Sequence, residues 1–472
     1  MNENKVVNIS KKSFFNVIFI LLGLIVFAIT LTYIIPKGTY QLVEGTVDFT
    51  KFTYLEDQSG INIFKGLFAP ILVLTSKDSI SLIMLSIFII AISGCFQVMS
   101  DTSGIKAIIE RLIKKFENHK HILVMLITLV FMIFGAFFGL FEETLALLPI
   151  IIMLSLSLGY DSFTGFLMCS VATGFGFACA ITNPFTIVYA SNIIGASVID
   201  GLWFRVVVFC IIYLLLISYI TVHIKRTKHN PKSSLTYEMD LEKRKNLQLD
   251  TPFESSRTFR VYLIFLIIVF LSIILATSLP FLRDYTVIVL IIVFLVGGMI
   301  SGYLVSKNFK HVLIGYKNGL VATLPAILMI LMASSIKYIL SEGMILDTIT
   351  HYLEVWLSGR SIYLTIIILL GVILILEFFI SSSTAKAIVV MGILNGLIVN
   401  GNLGVSKELV VLAYVFGDGF SNVLFPTSPA LLIALSITGI SYSKWMKKAI
   451  PLYVLLTILM ISFLFIGYWI SY

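Results

Sequence analysis

Charge is what this 472-residue chain has least of. Asp, Glu, Lys and Arg together make up 12% of it, about half the share of an ordinary soluble domain. Hydrophobic residues make up 58% and the mean hydropathy is +1.03. Apolar runs of about 20 residues recur along the length, each enough to cross a bilayer core. A soluble globular protein is thereby excluded, and a polytopic, all-α membrane protein is expected. Cysteine is also scarce. The four thiols, Cys95, Cys169, Cys179 and Cys210, lie within apolar stretches and lack metal-ligand spacing. They argue against a disulfide framework or a zinc site and read as small core residues. No His-Glu-x-x-His, Gly-x-Ser-x-Gly or Walker A sequence is present, which removes the signatures of an intramembrane metalloprotease, a hydrolase and a self-contained ATP-driven pump. Neither an enzyme nor a cofactor-binding protein is expected.

The charge that is present is unevenly placed. The net charge is +8, and nine Lys and Arg fall in residues 225–260, between two apolar spans. Such a cluster marks a solvated cytosolic loop and need not imply nucleic acid. Lys5, Lys11 and Lys12 put the N-terminus on the same side. The first span, 14–35, exceeds the ~7–15-residue apolar core of a signal peptide and shows no cleavage site, so it reads as a retained helix. Residues 36–78 carry four Lys against five acids and are expected outside. A span at 79–99 returns the chain to a basic segment, 101–120. Further spans are expected at 161–197 (broken), 202–224, 260–279, 285–305, 313–340, 407–440 (broken) and 449–470. The C-terminus then falls outside a plasma membrane crossed many times. Pro325 lies inside one span, where it favours a kink. Arg205 and Lys337 lie near span ends and read as snorkelling side chains. Aromatic and Met residues in the spans read as packing or lipid-facing groups.

Two features repeat in the same order. GFGFACAITNPFT at 174–186 and GDGFSNVLFPTSP at 417–429 both begin with Gly-x-Gly-Phe and break at a proline among Thr, Asn or Ser. From Gly174 to Gly417 the offset is 243 residues. Ahead of each lies an amphipathic helix. Ile105, Ile108, Ile109, Leu112, Ile113 and Phe116 form one apolar stripe; Ile345, Leu346, Ile349, Tyr352, Leu353, Trp356 and Leu357 form the other. The first helix is basic and the second carries Asp347 and Glu354, so the two are expected on opposite membrane faces. That makes the duplication an inverted repeat: residues 1–230, a cytosolic linker at 231–259, and residues 260–472. Between amphipathic helix and broken helix, each half has a long apolar stretch with a polar middle, GLFEET at 139–144 and EFFISSSTAK at 377–386. Each reads as a re-entrant hairpin, 121–158 entering from inside and 361–400 from outside. Full crossings would put 225–260 outside, against its charge. The glycine pairs Gly135/Gly139 and Gly298/Gly302 fit close helix packing.

A broken helix survives in lipid only where its freed backbone groups are buried in protein or line a polar cavity. Paired breaks in two halves point to a secondary transporter's binding site. Ionisable residues at membrane depth are functional by default. Glu142, Glu143 and Thr144 at the first tip are therefore candidates for substrate or ion contact. At the second tip, Ser381, Ser382, Ser383 and Thr384 offer oxygen ligands to a hard cation or donors to a carboxylate, and equally suit helix N-caps. Lys386 is either an anion's counter-charge or a partner of Glu377. Thr182, Asn183 and Thr186 flank the first break. Asp418, Ser421 and Asn422 share one face before the second, and Thr427 and Ser428 follow it. Asp418 is the expected coupling residue, unless it caps the half-helix or pairs with Lys386. A half-helix N-terminus suits a carboxylate; the carbonyls at the opposing end suit sodium.

With those segments in hand, the chain resembles the YfcC-like branch of the dicarboxylate anaerobic carrier family, within the ion transporter superfamily. The likeness rests on FEET at 141–144, LGYDSFTG at 158–165, the GFGF…TNPF run, and FGDGFSNVLFPTS at 416–428. It implies a fold similar to sodium-coupled dicarboxylate symporters: inverted repeats, opposed hairpins, broken helices, a homodimer made by scaffold helices, and a ligand site between hairpin tips and breaks. Those symporters carry Ser-Asn-Thr at both tips. Here the tips read Glu-Glu-Thr and Ser-Ser-Ser-Thr, so the sodium and carboxylate sites do not carry over. Members of the branch are named both as dicarboxylate carriers and as basic amino acid antiporters. The acidic set Glu142, Glu143 and Asp418 suits a cationic co-substrate, a proton or an amino acid. The expected function is secondary active transport of a small carboxylate-bearing metabolite, dicarboxylate or amino acid, driven by a proton or sodium or run as exchange. An ion channel is disfavoured, because paired hairpins and breaks form an occluded site.

Overall fold

In the computed structural model of this chain, the residues described are 11–43, 46–56, 59–76, 79–116, 119–246, 256–279, 282, 285–357, 360–380, 383, 386–387, 390–391, 394 and 404–472. Among them, seven helices are long and apolar enough to cross a membrane. Helices satisfy their own backbone groups, which lipid cannot do. The architecture is the all-α inverted-repeat membrane fold expected from the sequence.

Length alone misreads two of those helices. Lys120–Ile133 continues as one π-helical turn, Phe134–Phe138, and is long enough to span. It stops at Gly139, whose φ of +69° is open to glycine at little cost. A single 3-10 turn, Glu143–Ala146, and the helix Leu148–Ser157 bring the chain back. Lys120 Nζ then donates to the Leu158 carbonyl at 3.3 Å. Entry and exit share one end, so this is a hairpin. The second hairpin descends through Ile362–Phe379. It returns to the same end: a Cβ on Gly404 would lie 3.2 Å from Ile362 Cγ1.

The broken helices run Ser162–Ala178 then Pro184–Ile194, and Lys407–Ser421 then Pro429–Thr438. They cross tightly. A Cβ on Gly419 would sit 2.1 Å from Ala178 Cα, and one on Gly174 2.6 Å from a Val423 methyl. Only glycine admits that approach, which explains the repeated Gly-x-Gly. Gly135 likewise abuts the Thr173 carbonyl, and Gly298 and Gly302 abut Cys95 and Val98.

Contacts sort the polar ends into two faces. On one face, the strand Gly38–Val43 pairs antiparallel with the strand Thr46–Tyr54, a sheet that the sequence reading left without structure. It rests on the second amphipathic helix, Leu346–Leu357, with Phe52 stacked on His351 at 4.2 Å. Tyr472 joins this face by receiving the Ser406 hydroxyl on its carbonyl oxygen at 2.5 Å. On the other face lies the first amphipathic helix, Gly104–Lys115, with Arg111 over the Phe259 ring. The linker is here too, and it is docked. Its helix Tyr237–Asn246 carries Lys243, which donates to the Thr438 carbonyl, and Arg244, which donates to that of Tyr160. Of the cysteines, Cys95, Cys169 and Cys179 are buried core residues, whereas Cys210 is exposed on the surface of its helix. Cys210 is thus not the core residue expected from its apolar surroundings.

Candidate functional site

The first break is closed by backbone. Pro184 lacks an N–H and cannot continue a helix ladder. The hairpin arm ends at Gly139, which leaves the Ala136 and Phe137 carbonyls without a helical N–H, and the break uses both as well as Gly135 O, which also accepts the Gly139 N–H at 3.2 Å. Ile181 and Thr182 N–H donate to Ala136 O at 2.8 and 3.2 Å. The Thr182 hydroxyl donates to Phe137 O at 3.2 Å. Asn183 Nδ2 donates to Gly135 O at 3.3 Å, while its Oδ1 receives the Phe185 N–H at 2.9 Å. Asn183 is fully buried and serves as both N-cap and strut. Arg205 does not snorkel. It is 2% exposed and donates to Tyr472 Oη at 2.9 Å and to Ile181 O at 3.3 Å, with further bonds to the Val198 and Asp200 carbonyls. An always-charged guanidinium with several donors suits such a carbonyl cluster. Thr186 Oγ1 is buried with no hydrogen-bond partner among the described residues.

The second break is closed by aromatic donors and carries charge. The C-terminal helix Tyr442–Trp469 supplies three clamps. Tyr442 donates to Leu424 O at 2.9 Å, Trp445 Nε1 to Val423 O at 2.9 Å, and Tyr453 to Phe420 O at 2.8 Å. These rings, of which Tyr453 lies in a span and is expected from the sequence only to pack or face lipid, satisfy the opened backbone. Ser421 turns back onto the Gly417 and Asp418 carbonyls, and Ser428 caps Pro429–Thr438 by receiving the Leu431 N–H. Asn422 and Thr427 are buried at the break.

Beside it lies an ion cluster. Lys386, wholly buried, pairs with Glu377 of the descending arm and with Asp418 of the broken helix, the latter at 2.5 Å. Glu377 is 3% exposed and Asp418 fully buried. Ser383 Oγ donates to Asp418 Oδ1 at 3.0 Å, and Tyr414 Oη donates to the Ser383 carbonyl. Both pairings weighed for Lys386 are thus made at once. The sequence signal for this was the i, i+3 spacing of Ser383 and Lys386 opposite a lone intramembrane Asp. At the first tip, Glu142 is half-buried and Thr144 is buried with its hydroxyl on Phe141 O at 2.8 Å. Glu143 opens the 3-10 turn. Ser381, Ser382 and Thr384 lie outside the described residues.

The basic face holds a second polar network. Asp161 caps Ser162–Phe166 through the Thr164 N–H at 2.9 Å. It also receives His223 Nε2 at 2.9 Å and the Ser234 hydroxyl at 2.6 Å. Burial would raise this carboxyl, but the His223, Ser234 and Thr164 bonds outweigh it and hold it at about 2. Asp240 of the linker receives Ser162 N–H at 2.9 Å, and burial raises its carboxyl.

Two hairpins converging on two crossed breaks in a lipid-embedded helical body define a multi-pass membrane carrier. The chain belongs to the C4-dicarboxylate anaerobic carrier family, whose sequence model matches residues 14–469. It is 28% identical over 394 residues to the "Putative basic amino acid antiporter YfcC" of Escherichia coli K12, covering 79% of this chain and 75% of that one. It is 26% identical over 428 residues to an "Uncharacterized protein" of Haemophilus influenzae, covering 88% and 78%. Among solved structures, the YdaH transporter of Alcanivorax borkumensis aligns with a TM-score of 0.48 and 13% identity over 96% of this chain and 98% of that one. The antimetabolite efflux pump MtrF of Neisseria gonorrhoeae aligns with a TM-score of 0.44 and 14% identity, over 97% and 96%.

Proposed function

We propose that this carrier moves a small amino acid bearing both carboxylate and cationic groups, by alternating access, with Asp418 carrying the coupling to a proton, to sodium or to a counter-substrate. The observation that supports this most is the sign of the buried cluster. Glu377, Lys386 and Asp418 sum to one negative charge in a site closed to water. A site for a dianion needs the opposite sign. The name of the Escherichia coli relative agrees with a cationic substrate; the family description names C4-dicarboxylates, and a dicarboxylate is the second reading. The oxygen-bearing residues Thr186, Asn422 and Thr427 at the breaks are proposed to complete the ligand site, with Glu142 and Glu143 at the opposite tip.

Counterflow into proteoliposomes tests the reading. Saturable uptake of labelled L-arginine against trapped L-arginine is expected, with succinate a weak competitor. Ohmic, non-saturating current would replace a carrier by a channel. We further propose that the face bearing the linker is cytosolic and that Tyr472 is outside. In a Cys210→Ala background, an impermeant maleimide added to intact cells should miss a cysteine at exposed Lys232; labelling from outside would invert the assignment. A homodimer through scaffold helices is proposed as well, and is checked by cross-linking in the membrane.

A further inference from the structure

The cluster beside the second break contains a cation the protein supplies itself, and its geometry says what that cation does. Lys386 joins three separate pieces of chain: the returning arm of the hairpin, the descending arm through Glu377, and the broken helix through Asp418. Two buried carboxylates share one ammonium. An uncompensated charge in a dry site is costly, and one further monovalent cation removes the cost. The arrangement also shows where that cation goes. Asp418 Oδ1 is taken by Lys386 and by the Ser383 hydroxyl, whereas Asp418 Oδ2 is buried with no hydrogen-bond partner among the described residues. Glu377 is the partner Lys386 keeps if it leaves Asp418. The first tip shows no such cation pairing among the described residues, although it carries Glu142.

Building on the carrier reading, we infer that Lys386 is a tethered placeholder cation: it bridges Glu377 and Asp418 when the site is empty, and yields Asp418 to the ammonium or guanidinium of an incoming substrate while staying with Glu377. Two neutral pairs then replace one bridged, net-negative triad. The hand-over also removes one of the polar ties between the hairpin tip and the broken helix, the Lys386–Asp418 pair, and leaves the Ser383–Asp418 and Tyr414–Ser383 bonds in place. Lys386 is therefore a specificity-determining residue. It selects substrates that bring a cation of their own, and a plain dicarboxylate has nothing to exchange for it.

The test removes the placeholder together with the partner it retreats to. Lys386→Met alone leaves two negative charges and is the variant most prone to misfold. Glu377→Gln with Lys386→Met leaves Asp418 as the single charge, the same net charge as the parent. L-Arginine and succinate are the probes, in counterflow and as ligands in thermal unfolding of the purified full-length protein. The double variant is expected to lower the half-saturating L-arginine concentration by about tenfold, the effect of removing a competitor worth ~1.4 kcal/mol. Its ligand-induced rise in unfolding temperature should come at correspondingly lower L-arginine, with succinate unchanged. A double variant that folds but shows the parent's L-arginine affinity, or a weaker one, overturns the placeholder role and leaves Lys386 a structural tie. If the parent itself shows saturable counterflow with neither probe, it is the carrier reading that fails.

Discussion

The two breaks solve one backbone problem with different chemistry. The first is sewn to its hairpin by amide and carbonyl groups: the helix end at Gly139 presents the carbonyls of residues 135–137, and Asn183, Thr182 and Ile181 bond to them. The second is clamped by Tyr442, Trp445 and Tyr453 from a distant helix, and carries the buried charges of Asp418, Lys386 and Glu377. The two halves share Gly-x-Gly and a proline at the break, which set backbone shape, and differ in the side chains that satisfy it. The first break meets a single buried guanidinium, Arg205, that bonds carbonyls, whereas the second meets a cluster of two carboxylates and one ammonium.

The largest expected contrast lies between Asp418 and its neutral counterpart. Asp418→Asn should reduce ion-driven accumulation by about 100-fold or more, equivalent to ~2.7 kcal/mol of lost coupling, and should raise the half-saturating L-arginine concentration of the downhill exchange that remains. Accumulation with the parent's ion and pH dependence would break the comparison, since the charged break would then be no more functional than the neutral one. Glycine substitutions come next and should treat both halves alike. Gly419→Ala meets Ala178 Cα, and Gly176→Ala meets the Met132 carbonyl at 1.9 Å. Each should cost about 3 kcal/mol by overpacking, read as a lower unfolding temperature in detergent. Insensitivity in one half only would show that the halves do not share a packing design.

Asp161 offers a third contrast, because the first broken helix starts on a buried charge and the second on Ser406, a neutral cap. A carboxyl held at about 2, below its unfolded value near 3.9, contributes about 2 kcal/mol that is fully present above pH ~4 and is lost as pH falls through 2. The gap in unfolding temperature between the parent and Asp161→Asn should therefore be widest near neutrality and close below pH ~4. A gap constant with pH would mean that shape, and not charge, matters there. The smallest effects separate strut from spectator. Asn183→Ala orphans the Phe185 N–H and removes one of the two donors to Gly135 O, and should cost ~1–2 kcal/mol. Ser421→Ala removes a hydroxyl that only bonds back to its own helix and should cost under ~0.5 kcal/mol. Equal effects would erase the distinction drawn between the two residues.

Much of this molecule is written locally, and local features are what a sequence exposes. Hydropathy over about 20 residues gave the spans, Pro184 and the Pro426–Pro429 stretch gave the breaks, and a 243-residue offset gave the repeat. Those depend only on neighbours along the chain, so the fold class and the region of the candidate site follow from sequence by itself. What joins residues far apart was decided by tertiary structure. Length makes Lys120–Phe138 a span; the meeting of Lys120 with Leu158 makes it a hairpin. Arg205 looked like a snorkelling side chain until the break placed carbonyls around it. Lys386 had two separate partners in prospect and has both, because Glu377 and Asp418 come from elements that only packing brings together. A buried charge is set by what surrounds it in three dimensions, and no window along the sequence contains that surrounding.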